Sequence, residues 1–185
     1  MDKLIAKGKY SPIAHRKFYL FHLFYKSSST YFTLFLITTL IILGSFMTKT
    51  AIQTGKYSSI FFIWSLVFFT IIFTILQMFL RIKKTIKEET DKRKDSIEVV
   101  EVTKDLIVRR IQNVPGREVI GWDQIESIYE NKEYIYIYTK NNTGFLIIKE
   151  DIIEGNLEGF RKLAKNQMPK TRRGKVKYKV LYKEK

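Results

Sequence analysis

Hydrophobic and polar positions divide the chain into two regimes. From Ser27 to Thr48 there is no charged residue, a run of 22, and from Tyr57 to Leu80 there is none either, a run of 24. Both are dense in Leu, Ile, Phe and Val and lack the polar stripe at helical period that a half-buried helix shows. About 20 apolar residues, rising ~1.5 Å each, cross a bilayer core of ~30 Å. The pattern therefore predicts two membrane helices, at about 31–48 and 57–80, forming an antiparallel hairpin within 31–82. Gly44 and Ser45 are candidates for a close helix approach. Tyr25, Tyr31, Phe32 and Tyr57 stand where interfacial aromatic anchors belong.

From Asp95 onward the period changes to two. Strands are predicted over Ser96–Thr103, Leu106–Ile111, Glu118–Gly121, Ile125–Glu130, Tyr134–Thr139 and Phe145–Lys149, with turns at Val114–Arg117 and Asn141–Gly144. Ile153, Leu157, Phe160, Leu163 and Ala164 then recur every three to four residues. That spacing predicts a helix from about Asn156, its N-cap, to Gln167. The fold class is thus α+β: a transmembrane hairpin at 31–82, then a soluble domain at 95–169 built as a small curved sheet or partial barrel covered by one helix. A basic arm at 1–30, a charged linker at 83–94 that continues the second helix before fraying, and a basic tail at 170–185 complete the plan.

Charge adds orientation. The chain of 185 residues carries 33 Lys and Arg against 18 Asp and Glu, a formal net charge of +15. The excess is uneven. Six Lys/Arg precede the first run, two lie between the runs, seven fall between Arg81 and Lys94, and eight lie in 170–185, whereas 95–169 holds 10 basic and 13 acidic residues. Lys and Arg concentrate on the cytoplasmic side of membrane segments, which places both termini in the cytoplasm of a multi-pass plasma-membrane protein. Arg81, Lys83, Lys84 and Lys87 beside the second helix, and Arg172, Arg173, Lys175, Lys177 and Lys179 in the tail, are the candidate contacts to anionic lipid headgroups. Three readings of the tail stand side by side: a solvated segment, a lipid-surface strip, or a strip for nucleic acid or an acidic protein, the last drawing on its interleaved Tyr178 and Tyr182. Anionic lipid is the partner expected first, nucleic acid is not expected, and a protein partner is left open.

Catalytic chemistry finds little footing. There is no cysteine, which excludes thiolate zinc sites, cysteine nucleophiles and disulfides. His15 and His22 stand seven apart, two helical turns, too far for one metal ion. Asp123 and Glu126 lack a partnering His or Cys for acid–base work. The nine glycines form no phosphate-binding loop. The acceptor triplet Asn141–Thr143 falls on the cytoplasmic side of the expected topology, where it is not glycosylated. No catalytic residue, metal or cofactor is expected. The Tyr134, Tyr136 and Tyr138 face of the tyrosine strand is the candidate partner surface.

The segment Trp122–Glu130, the tyrosine-rich strand Tyr134–Thr139, the hydrophobic strand Phe145–Lys149 and the helix segment Leu157–Leu163 together resemble the YcxB-like family of small bacterial membrane proteins. The resemblance covers about 95–167 directly and, through the order of the helices, the whole chain. It implies a pleckstrin-homology-like β domain behind two membrane helices in a bacterial cell membrane, and no catalytic residues. On that basis Trp122, Ile125, Ile128 and Phe160 are expected in the core. The function expected is a membrane-anchored, non-enzymatic module presenting this domain to a protein or lipid headgroup; an immunity-type or stress-response protein acting against membrane-active peptides is the alternative.

Overall fold

The structure is a computed structural model that describes residues 3–182 other than Asn113 and Asn142, and of Ser29 the backbone alone. The triplet at 141–143 therefore lies partly, and the last three residues of the basic tail wholly, outside the described residues. The chain forms two compact units, 1–18 with 89–185 and 19–88.

The second unit is the hairpin. Helix α2 (Ser28–Gln53) and helix α3 (Tyr57–Arg93) are each long and apolar enough to cross a membrane. Gly55, at φ 71°, ends the first helix in the left-handed conformation that a glycine adopts without a Cβ penalty. Threonines and serines inside the apolar runs donate to carbonyls one turn back, as Thr38 does to Leu34 and Thr70 to Leu66, so their hydroxyls are satisfied within the helix. Gly44 is buried at the seam, where a Cβ would meet Ile63 at 3.4 Å, and Trp64 Nε1 donates to Thr48 Oγ1 across it at 3.0 Å. Ser45, the other expected small residue, is exposed and donates to Ile41. α3 runs on through 83–93, so the expected linker is helical almost throughout.

The first unit has two sheets and a helix. Strands β1 (Lys3–Lys9), β2 (Ile97–Thr103), β3 (Leu106–Ile111), β4 (Glu118–Gly121) and β8 (Ile152–Glu154) form one sheet in the order β4-β3-β2-β1-β8. Strands β5 (Ile125–Glu130), β6 (Tyr134–Thr139), β7 (Gly144–Ile148) and β9 (Tyr178–Val180) form the other in the order β7-β6-β5-β9. Helix α4 (Leu157–Gln167) is capped by Asn156, whose side chain accepts from Gly159 N at 2.7 Å, and inserts Phe160, Leu163 and Ala164 into the core. Trp122, Ile125, Ile128 and Phe160 all lie in that core, as expected. The turn glycine Gly116 takes φ 98° after Pro115, the conformation a type II turn requires.

Two expectations are corrected. The basic segment before the hairpin is not a free arm: β1 pairs with β2 from Lys3↔Thr103 to Lys9↔Ile97, buries Leu4 and Ala6, and sits inside the five-stranded sheet. It leads into helix α1 (Pro12–Tyr25), whose start is set by Pro12 in the first turn and by Ser11 Oγ accepting from Ala14 N at 3.3 Å. Of the three readings of the basic tail, the solvated one does not hold for its described part, 170–182. Lys170 bridges Val176, and β9 continues in parallel register on β5, from Ile128↔Tyr178 to Glu130↔Val180.

Candidate functional site

The tail is held by one buried carboxylate. Glu130 ends β5 on the same face as Ile128, pointing inward, and none of its surface is exposed. Lys149 Nζ donates to its Oε1 at 2.6 Å, and Arg161 spans both oxygens, Nε to Oε2 at 2.9 Å and an η nitrogen to Oε1 at 2.8 Å. From the tail, Tyr178 donates to Oε2 at 2.7 Å and Tyr182 to Oε1 at 2.9 Å. A buried charge is tolerated only when it is paired and its lone pairs are filled; here five hydrogen bonds fill them. Burial pushes the Glu130 carboxyl up, but the bonds from Arg161, Lys149, Tyr178 and Tyr182 outweigh it and hold the pKa at about 2. Burial beside the same carboxylate drives the Tyr178 hydroxyl well above its ordinary value, so it stays a donor.

With the tyrosines turned inward, the cations of the tail face out. Val176 and Tyr178 pack against the core, while Arg172, Arg173, Lys175, Lys177 and Lys179 are exposed. Gly174 N donates to Thr171 O at 2.8 Å and Thr171 N to Lys175 O at 2.9 Å, closing a tight turn with Arg172 and Arg173 at its tip. The turn requires Gly174 at φ 71°. Lys177 is paired with Glu126 at 3.0 Å, which also accounts for one of the two carboxylates weighed for acid–base work. The other, Asp123, lines an open cleft of about 290 Å³ with Glu118, Gln124 and Lys140. In the other unit Arg81, Lys83, Lys84 and Lys87 are exposed along α3, with Lys84 within 3.9 Å of Glu88.

The tyrosine face is not a partner surface. Tyr134, Tyr136 and Tyr138 are 8%, 2% and 0% exposed. Phe18 of α1 stacks on Tyr138 with ring centroids 5.6 Å apart and contacts Tyr136 at 5.8 Å, and Lys17 lies over the Tyr134 ring at 5.1 Å. The alternation of the strand is real, but α1 covers the face that reads as open. Burial raises the Tyr136 hydroxyl to about 12.

His15 is buried where the chain leaves the sheet for α1. Its Nδ1 donates to Ser11 O at 3.0 Å, its ring lies 4.4 Å from that of Tyr10, and it lines a cavity of about 30 Å³ with Gly8, Glu98 and Asp151. Burial lowers its pKa, against the opposing pull of the Ser11 carbonyl and of Glu98 and Glu89. Among the described residues no group of three His, Asp or Glu side chains is arranged to hold a metal ion.

The Glu130 cluster is the feature that residue-by-residue reading misses, since its members lie 19, 31, 48 and 52 positions from the carboxylate. No curated protein and no solved structure matches the chain. A family model does: residues 110–164, from the end of β3 into α4 and including Glu130, Lys149 and Arg161, match the family described as YcxB-like protein, the family this stretch of the sequence resembles.

Proposed function

We propose that the protein is a membrane-anchored, non-enzymatic module whose hairpin holds the β domain at the cytoplasmic face of a bacterial plasma membrane, where it engages a protein or a lipid headgroup. The observation that carries this reading is the pairing of β1 with β2. Seven consecutive partners, Lys3↔Thr103 to Lys9↔Ile97, join the segment before the hairpin to the segment after it. Strands hydrogen-bonded in one sheet lie on one side of a bilayer, so the helices between them cross an even number of times. The Lys/Arg excess on the same two flanks makes that side cytoplasmic. The exposed Leu, Ile and Phe side chains of α2 and α3 are then lipid-facing. Two sheets closed by a C-terminal helix support a pleckstrin-homology-like arrangement, in which the domain works by contact at its surface.

Cysteine labelling tests the topology cleanly because the chain has no native cysteine. Gln53→Cys, at the exposed last residue of α2, reacts with an impermeant maleimide in intact cells, and Asn166→Cys, exposed on α4, reacts only after permeabilisation. Labelling of both from the same side overturns the reading.

A further inference from the structure

We infer that the outer face of the C-terminal strap, 170–182, docks on the anionic phospholipid headgroups of the membrane that holds the hairpin, and so fixes which side of the domain rests on the bilayer. The inference deepens the proposed anchoring and rests on it.

Three observations meet here. First, 161–182 contains nine Lys or Arg and no acidic residue, whereas 95–160 holds seven basic and 13 acidic residues. Of the strap cations only Lys177 has a carboxylate partner; Lys170, Arg172, Arg173, Lys175 and Lys179 have none among the described residues. Second, the strap is ordered. The Glu130 bonds, the Lys170–Val176 bridge and the β5 pairing hold it, so docking does not have to order a loose tail. Third, both tyrosines are committed to Glu130. A surface for single-stranded nucleic acid stacks bases on aromatic rings beside its cations; this strap has turned its rings inward and kept only charge outside. Exposed cations strung along a turn and a strand suit a plane of negative charge rather than one small anion.

Anchoring supplies the rest. The domain is tethered through both flanks of the hairpin, by α1 on one side and by the three residues between α3 and β2 on the other, which raises its effective concentration near the headgroups. Under that condition a contribution of about fivefold per cation suffices.

The test uses the full chain with a donor fluorophore on Asn166→Cys, reconstituted into vesicles containing trace acceptor-labelled lipid. Energy transfer is expected to rise when 30% phosphatidylglycerol is added to phosphatidylcholine, and to fall back in high salt. The variant Arg172→Gln/Arg173→Gln/Lys175→Gln is expected to lower the docked-to-undocked ratio about a hundredfold while leaving the unfolding transition in place. Equal transfer in the two lipids, or phosphatidylglycerol-dependent transfer that survives the triple change, overturns the inference. Single-stranded RNA bound by the wild type and lost by the triple variant, with lipid transfer unchanged, reassigns the face to nucleic acid. The anchoring reading fails separately, if Gln53→Cys and Asn166→Cys label from the same side.

Discussion

Tyr182 donates its hydroxyl to Glu130 Oε1 at 2.9 Å, 52 residues back along the chain. That bond makes the end of the tail a part of the domain, and it exists because Lys149 and Arg161 already compensate the carboxylate. Removing the acid is therefore worse than removing a hydroxyl. Glu130→Ala leaves two cations without their shared partner and is expected to cost about 3–5 kcal/mol. Tyr182→Phe loses the bond it donates to Glu130 and the two its hydroxyl accepts from Lys149 and Arg161, while the carboxylate keeps both cations, and is expected to cost about 1.5–3 kcal/mol. Denaturant unfolding followed by Trp122 fluorescence, in a Trp64→Phe background, checks the order. Equal costs for the two changes would mean that the cluster does not act as one unit.

The same cluster sets an acid limit. The Glu130 pKa is lowered from 4.5 to about 2 in the fold, so the unfolded chain takes up its proton first as pH falls. Its stabilisation is complete above 4.5 and is lost between there and about 2. His15 acts at higher pH. Burial depresses its pKa below 6.5, so the neutral ring is favoured in the fold, and stability begins to fall as pH drops below 6.5. Glu98, Glu89, Arg93 and Tyr10 surround it, and the two carboxylates partly offset the burial. Burial and then Lys26 lower the His22 pKa in the same direction, so the melting temperature is expected to decline in two steps, with His15→Gln/His22→Gln removing only the upper one. A single step near pH 4 in both proteins contradicts this.

The strands β2 to β7 were legible because their residues alternate between turns, whereas β8, only three residues long, gave no such pattern. Trp122, Ile125, Ile128 and Phe160 were legible as core for the same reason. β1 was not: Leu4, Ala6 and Gly8 alternate over only seven residues among lysines, and the partner strand lies beyond both apolar runs. The tyrosine strand was legible as a strand but not as a buried one, since alternation distinguishes two faces without saying that Phe18 covers one of them. A signal for Glu130 was present. A carboxylate two residues after Ile128 shares its inward face, and an inward acid demands cations from elsewhere in the chain. Which cations answer it depends on the fold, and no local pattern connects Glu130 to Lys149, Arg161 or Tyr182.

Gly8 has a packing reason that its backbone angles do not reveal. A Cβ built on Gly8 falls directly onto the Asp151 carboxylate, which lies against the edge of β1 where β8 joins it. Burial and the neighbouring Glu150 raise the Asp151 pKa, so this acid sits in a confined place. Gly8→Ala is expected to push the Asp151 carboxylate aside and to destabilise the domain by about 1 kcal/mol, the low end of the range for overpacking, because the atoms in the way are the end of a side chain. Asp151→Ala alone is milder, and the double variant recovers most of the loss of Gly8→Ala. Additive costs in that cycle show that the clash is not what Gly8 avoids.

Gly44 plays the corresponding part in the hairpin. On α2 the residues turned toward α3 recur at Thr33, Ile37, Leu40, Gly44, Thr48 and Ala51, steps of three and four that keep one seam facing the partner helix. Gly44 lies in that seam opposite Ile63 and Val67, where a Cβ would lie 3.4 and 3.8 Å from their methyl groups. An added methyl thus fits at van der Waals contact, while a branched side chain has no room. Gly44→Ala is expected to be nearly neutral, and Gly44→Leu to push the helices apart. The Trp64–Thr48 bond of 3.0 Å lies one turn away and reports the separation. In detergent or bilayer, Trp64 emission in a Trp122→Phe background is expected to shift to shorter wavelength for Gly44→Leu, as the indole loses its hydroxyl partner, and to stay put for Gly44→Ala. A matching shift from Thr48→Val identifies the lost bond as the cause, and no shift in Gly44→Leu means that the seam does not depend on Gly44.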